Sequence, residues 1–211
     1  MIESERPGLV IATAEGGGVA TAVSPQDVAA ADRAAIVMAA RDDGGAQVTS
    51  DVTAEIGRAL VVVIDDRAAH GEDTSLIGPL VGELLTEAGF HVDATIAVSS
   101  DEVEIRNALN TAVIGGVDLV VSVGGVGVGA RDVTPEATAG LLDRTIPGIE
   151  EAVRSSGLAA GSADAGLSRG LAGMSGQTLV VNLANSRAAV RDGMATVTPL
   201  AKHVIESISE F

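Results

Sequence analysis

The segment RALVVVIDD, residues 58–66, constrains the fold more than any other stretch of the chain. From Ala59 to Ile64 it offers no polar face, and it ends in a pair of aspartates. A strand that is apolar on both sides needs cover on both sides, as in a parallel sheet flanked by helices. The segments that follow agree. SLIGPLVGELLTEAGF (75–90) spaces Leu76, Ile77, Leu80, Leu84 and Leu85 as a helix does, with Gly89 as its stop. HVDATIAVS (91–99) alternates and reads as a strand. SDEVEIRNALNTAVIGG (100–116) opens at Ser100 as a cap, gathers Ile105, Leu109, Ala112 and Val113 on one face, and stops at glycine. VDLVVSVGG (117–125) is the third strand. Alternating strands and helices with right-handed crossovers give an α/β fold, a three-layer α-β-α domain on a mostly parallel sheet.

The remainder reads less regularly. TPEATAGLLDRTIPGIEEAVRSSG (134–157) holds two short helices, the first capped by Thr134 with Pro135 in its first turn. GLSRGLAGMSGQTLVVNLA (166–184) gives two strands around an SGQ turn. SRAAVRDGMATVTPLAKHVIESI (186–208) is a final helix, expected to break near Pro199. Residues 1–55 differ in composition, rich in Ala, Gly, Asp and Thr. A short helix fits SPQDVAAADRAAIVMAAR, with Ser24 as cap and Pro25 behind it. The segment is read either as a flexible extension or as the source of an edge strand from PGLVIATA. The division is therefore a 1–55 extension and a 56–211 domain.

Composition excludes several function classes. With no cysteine among 211 residues, the chain has no disulfide, no thiolate metal site and no cysteine nucleophile. A net charge of −16 repels nucleic-acid phosphates and anionic membranes, and attracts a basic protein partner. MIESERPG lacks a signal-peptide pattern, and no apolar run approaches the ~18 residues a membrane span needs. The expectation is a soluble, cytoplasmic protein.

Open parallel sheets bind ligands at the carboxyl ends of their strands. Such ends occur at IDDRAAHGED (64–73) and at GGVGVGARD (124–132). Gly124, Gly125, Gly127 and Gly129 remove side chains where a backbone can approach a ligand, and successive N–H groups there can face phosphate oxygens. A helix starting near Thr134 adds its positive end. The loop is neither a Walker A loop, lacking Gly-Lys-Ser/Thr, nor a dinucleotide fingerprint. Asp65 and Asp66 are either solvated loop residues or polar contacts to a ligand or metal. Ser75 is either a helix cap or a ligand contact. His70, His91 and His203 show no metal spacing. Arg187 and Arg191 share a helix face that would suit an anion.

GGVGVGARDVTPEAT, LLDRTIPGIEEAVR, LSRG and TLVVNL with AVRDG, taken together and in order, resemble the MoaB/Mog family of molybdenum-cofactor biosynthesis proteins, over Arg58 to Ile208. The resemblance implies an α/β domain that assembles into trimers or larger homo-oligomers and binds molybdopterin. In active members, ATP and Mg2+ serve transfer of AMP onto the molybdopterin phosphate. It implies a cofactor-binding set of Gly124, Gly125, Val126, Gly127, Ser168, Arg169, Asn182 and Ser186, to which the residue reading adds Asp65 and Ser75, with Asp132 catalytic and metal-holding. The family's Gly-Gly-Thr-Gly is here Gly124-Gly125-Val126-Gly127, without the hydroxyl. Losing such a bond costs about 1–3 kcal/mol when a polar group is left unpaired. A second family aspartate, in a Pro-Asp pair, is replaced by Ser99-Ser100. Asp101 follows one place later, turned by about 100° on a helix; either it substitutes as the catalytic residue or that part of the site is lost. The family's Asn-Leu-Pro-Gly-Ser-Pro becomes Asn182-Leu183-Ala184-Asn185-Ser186-Arg187. The expectation is a molybdopterin-binding protein, adenylyltransferase-like with activity reduced or absent. The alternative is a non-catalytic oligomeric regulator of a basic partner such as a nucleic-acid-binding or transcription factor.

Overall fold

The computed structural model describes residues 55–71 and 76–209. The helix read at Ser24, the strand read at PGLVIATA and the role read for Ser75 lie outside them. In chain order the elements are β1 (Gly57–Ile64), α1 (Asp66–Ala69), α2 (Ile77–Glu87), β2 (Phe90–Val98), α3 (Glu102–Ile114), β3 (Leu119–Val123), α4 (Thr134–Ala139), β4 (Arg144–Thr145), α5 (Pro147–Ala159), a 3-10 turn (Ala163–Leu167), β5 (Ala172–Ser175), β6 (Thr178–Leu183) and α6 (Arg187–Ser209).

One 6-stranded sheet runs β2-β1-β3-β6-β5-β4. β2, β1, β3 and β6 are parallel, whereas β5 and β4 are antiparallel to their neighbours. The central strands bury both faces because their side chains alternate between two cores. Val61, Val63, Leu119, Val121, Leu179 and Val181 meet α2, α5 and α6 through Val81, Leu85, Ile149, Val190, Met194 and Val197. Val62, Ile64, Val120 and Val180 meet α3 and α4 through Ile105, Leu109, Ala112 and Ala137. The three-layer α-β-α arrangement expected of the sequence is the one observed. β2 is an edge strand, which explains why its sequence alternates while those of β1 and β3 do not.

Local readings needed correction in several places. The cap of α3 is Asp101, not Ser100: the Asp101 carboxylate accepts Val103 N at 2.9 Å and Glu104 N at 3.0 Å. A carboxylate reaches both amides of a first turn, so it outcompetes the hydroxyl beside it. Thr134 does not cap α4; it lies inside the first turn, and its hydroxyl donates to the Gly124 carbonyl at 2.8 Å. Pro199 does not interrupt α6, a continuous helix of 23 residues. Residues buried on both sides of it, Val190, Met194, Val197 and Ala201, hold the helix to the sheet and outweigh the missing bond. The hydroxyls of Thr196 and Thr198 also donate to the carbonyls of Asp192 and Met194, at 3.0 and 2.9 Å. Among the described residues, no helix is long and apolar enough to cross a membrane.

A buried polar chain ties β6 to β3, to α4 and to the residue that precedes β5. Asn182 accepts Leu171 N at 3.0 Å through Oδ1, and its Nδ2 donates to Ser122 Oγ at 2.7 Å and to Thr138 Oγ1 at 3.1 Å. The Thr138 hydroxyl donates to the Thr134 carbonyl at 2.7 Å. With Asn182 only 4% exposed, every polar atom of its side chain is satisfied internally. Asn182→Ala is expected to cost about 2–3 kcal/mol, since it strands the Leu171 N–H; urea unfolding at neutral pH measures it.

Candidate functional site

The loop Gly124–Asp132 leaves the carboxyl end of β3 beside the end of β1. The chain departs from β1 toward α2 on one face and from β3 toward α4 on the other, so these strand ends form a switch point of the kind at which open parallel sheets bind ligands. Gly124 (φ +115) and Gly125 (φ +64) take conformations that a side chain disfavours. Space forbids one as well. A Cβ at Gly124 would lie 2.6 Å from the Ile64 carbonyl oxygen, and one at Gly125 would lie 2.5 Å from Thr134 Oγ1. Gly127 and Gly129 make room for a different neighbour. A Cβ there would lie 2.7 or 2.9 Å from Asp132 Oδ2, which folds back to accept Gly129 N at 2.8 Å.

The orientation of this backbone is fixed by its carbonyls. Thr134 Oγ1 donates to Gly124 O, and Thr134 N donates to Gly125 O at 3.0 Å. Arg169 N donates to Val126 O at 2.8 Å, and Arg169 Nε donates to Gly127 O at 2.7 Å. In a trans peptide the C=O of one residue and the N–H of the next point opposite ways, and none of these bonds is cis. Tying the carbonyls of Gly124 to Gly127 to the protein therefore turns the N–H groups of Gly125, Val126, Gly127 and Val128 away from those partners. Those amides have no acceptor among the described residues. Unpaired amides in succession attract an anion.

Arg169 clamps the loop. Besides Gly127 O, its guanidinium donates to the Asp132 carbonyl and pairs with Glu136 of α4. That hydrogen bond is the main reason the Glu136 carboxyl is held below its ordinary range, and the Arg169 pKa is raised reciprocally. A Ser-Arg pair suggests anion contact from sequence; in the structure the Arg169 guanidinium holds the loop and pairs with Glu136. Glu136 was indistinguishable by sequence from a common helix-start charge; its place in RDVTPE, four residues beyond Asp132, was the available signal.

The other sequence candidates fall into separate places. Ser168 and Ser186 line one cavity of about 210 Å³ between α5, the 3-10 turn and α6, together with Arg154, Asp164, Asn185 and Asp192. This cavity adjoins the loop in sequence, because Arg169 follows Ser168. The Ser186 hydroxyl also accepts Ala189 N at 3.1 Å. Asn182 stands behind the site, in the polar chain that supports it. Asp65 caps α1, accepting Arg67 N at 2.9 Å and Ala68 N at 3.3 Å. Asp101 caps α3. The Val126 side chain is buried, at 4% exposure. Among the described residues no group of three or more His, Cys, Asp or Glu is arranged to hold a metal ion.

Comparison with known proteins places this geometry in context. Residues 60–203 match the MoCF_biosynth family, described as a probable molybdopterin binding domain. A molybdenum cofactor biosynthesis bifunctional protein of Synechococcus elongatus is 34% identical over 145 residues, covering 69% of this chain and 45% of that protein. The chain thus spans about half the length of that relative. A molybdopterin adenylyltransferase of Pyrococcus furiosus is 32% identical over 154 residues, covering 71% of this chain and 90% of the relative. The crystal structure of a molybdopterin biosynthesis protein from Mycobacterium abscessus is 66% identical, with a TM-score of 0.72 over 74% of this chain and 98% of that one.

The Arg169–Glu136 pair predicts a pH dependence. The folded-state pKa of Glu136 is lowered, so the pair's contribution is fully present above the ordinary carboxylate range. It is lost as pH falls through the lowered value. Arg169→Ala should raise the Glu136 titration, followed by carboxyl-carbon NMR, toward the ordinary range, and should let the hydrogen-bonded loop amides of Gly129 and Thr134 exchange faster.

Proposed function

The chain belongs to the MoCF_biosynth family of the probable molybdopterin binding domain, and from that premise we propose that it binds molybdopterin and is adenylyltransferase-like, with the transfer itself reduced or absent. The observation that carries the binding half is the orientation of the glycine loop. The amides of Gly125 to Val128 supply donors without internal acceptors at a strand end, the arrangement that suits a phosphate. The pterin moiety is assigned to the cavity lined by Ser168 and Ser186.

In the transfer step, an oxygen of the molybdopterin phosphate attacks the α-phosphorus of ATP. A new P–O bond forms, the bond to the β-phosphate bridge breaks, and pyrophosphate leaves. The attacking oxygen is already anionic, so no side chain has to remove a proton. The protein's work is positioning and charge compensation. The loop amides hold the attacking phosphate, and Arg169 keeps the loop in shape. Asp132 is the residue that would hold Mg2+. Its Oδ2 accepts Gly129 N, while its Oδ1 has no partner among the described residues. A single carboxylate fits this ion, which binds through one or two carboxylates plus phosphate oxygens. When bound, magnesium offsets the negative charge of the phosphates.

Two features support slow or absent transfer. Val126 brings no hydroxyl to the loop. The aspartate expected at Ser99-Ser100 has only Asp101 as a substitute, and that carboxylate is engaged as the α3 cap. Purified protein incubated with molybdopterin, ATP and Mg2+ tests both halves. The chain has no Trp or Tyr, so bound pterin is visible directly as an absorption band above the Phe region. Expected are saturable pterin binding, at least about tenfold weaker binding by Gly125→Ala, equivalent to 1.4 kcal/mol, and slow release of pyrophosphate. No pterin bound at saturation would refute the binding site. Transfer as fast as by the Pyrococcus furiosus relative would refute the reduced activity.

A further inference from the structure

Arg131 sits at the far end of the glycine loop, beside Asp132. Unlike Arg169, it has one partner among the described residues, Asp66, just beyond the end of β1, with Arg131 Nη2 2.5 Å from Asp66 Oδ2. The two side chains are 72% and 34% exposed. An exposed pair of this kind contributes little to stability and exchanges readily. Asp66, by contrast, is anchored: its Oδ1 accepts Ser100 N at 2.8 Å. Among the described residues, removing Arg131 would leave Asp66 with that bond and with the charge of the neighbouring His70.

We propose that Arg131 is a phosphate-binding residue of this site, held in reserve by Asp66 and exchanged onto a phosphate oxygen of the ligand when the loop is occupied. The proposal rests on the reading of the glycine loop as an anion cradle. A guanidinium offers paired donors that match phosphate oxygens, and a multiply charged phosphate outcompetes one exposed carboxylate for them. In a chain of net charge −16, a cation at these strand ends also hides the Asp66 charge from an arriving anion. Asp66 is then an antagonist of binding, and its strength sets how much affinity Arg131 contributes.

Antagonism gives opposite signs to substitutions at the two residues, an outcome that loss of structure does not imitate. Asp66→Asn keeps an oxygen for Ser100 N and loses only the charge that holds Arg131. Wild type, Arg131→Ala, Asp66→Asn and the double variant of the full chain are titrated calorimetrically with inorganic pyrophosphate and, separately, with molybdopterin. Arg131→Ala is expected to weaken one of these probes about tenfold or more, and Asp66→Asn to tighten the same probe severalfold. The double variant should match Arg131→Ala. The affected probe tells whether the contacted oxygen belongs to the nucleotide's phosphates or to the pterin's. Unchanged affinity of Arg131→Ala for both probes overturns the proposal alone. So does tightening by Asp66→Asn that survives undiminished without Arg131, because Asp66 would then act by direct repulsion. A wild type that binds neither probe overturns the cradle and this proposal with it.

Discussion

Everything distinctive about this domain depends on which way a short run of peptide units faces. Thr134 and Arg169 hold the carbonyls from Gly124 to Gly127, and trans geometry leaves the following amides no choice of direction. The buried polar chain from Asn182 through Thr138 to Thr134 supports that arrangement from beneath, each hydroxyl donating to a carbonyl rather than to water. Buried polar groups are costly unless all are paired. This chain is fully paired, and among the described residues no buried side-chain polar atom lacks a partner. A polar network through the core thus serves as the rigid base of a loop that is itself rich in glycine.

Much of the fold was legible because burial dictates pattern. β1 and β3 read as continuous apolar runs, since helices cover both their faces, and β2 reads as alternating because it is an edge. The failures are equally physical. β4, of two residues, is too short to carry any period. Pro199 has a strong local preference, but the packing of α6 on the sheet overrides it. Between Ser100 and Asp101 sequence offers two good caps in a row, and the charge on the second decides.

The site was legible in part. The glycines and Asp132 declare themselves in one continuous stretch. Their partners do not, because they arrive from elsewhere in the chain. Arg169 reaches Gly127 across 42 residues, and Asn182 reaches Ser122 across 60. A motif can mark such residues as belonging to the site without telling whether they touch a ligand or brace the part that does. In the structure Arg169 holds loop carbonyls, Asn182 lies in the buried polar chain, and Asp65 and Asp101 cap helices. Ser168 and Ser186 face a cavity.

The glycine loop leans on the Ile64 carbonyl, on Thr134 and on Arg169, which lie in widely separated parts of the chain. No fragment ending before Arg169 contains all the pieces, so the cradle cannot assemble ahead of the domain during synthesis. Occupancy and folding are consequently coupled by mass action: a molecule that binds only the finished loop raises the free energy of unfolding with its concentration. Scarcity of that molecule would then be felt by the polypeptide as lower thermal resistance and shorter survival against proteolysis.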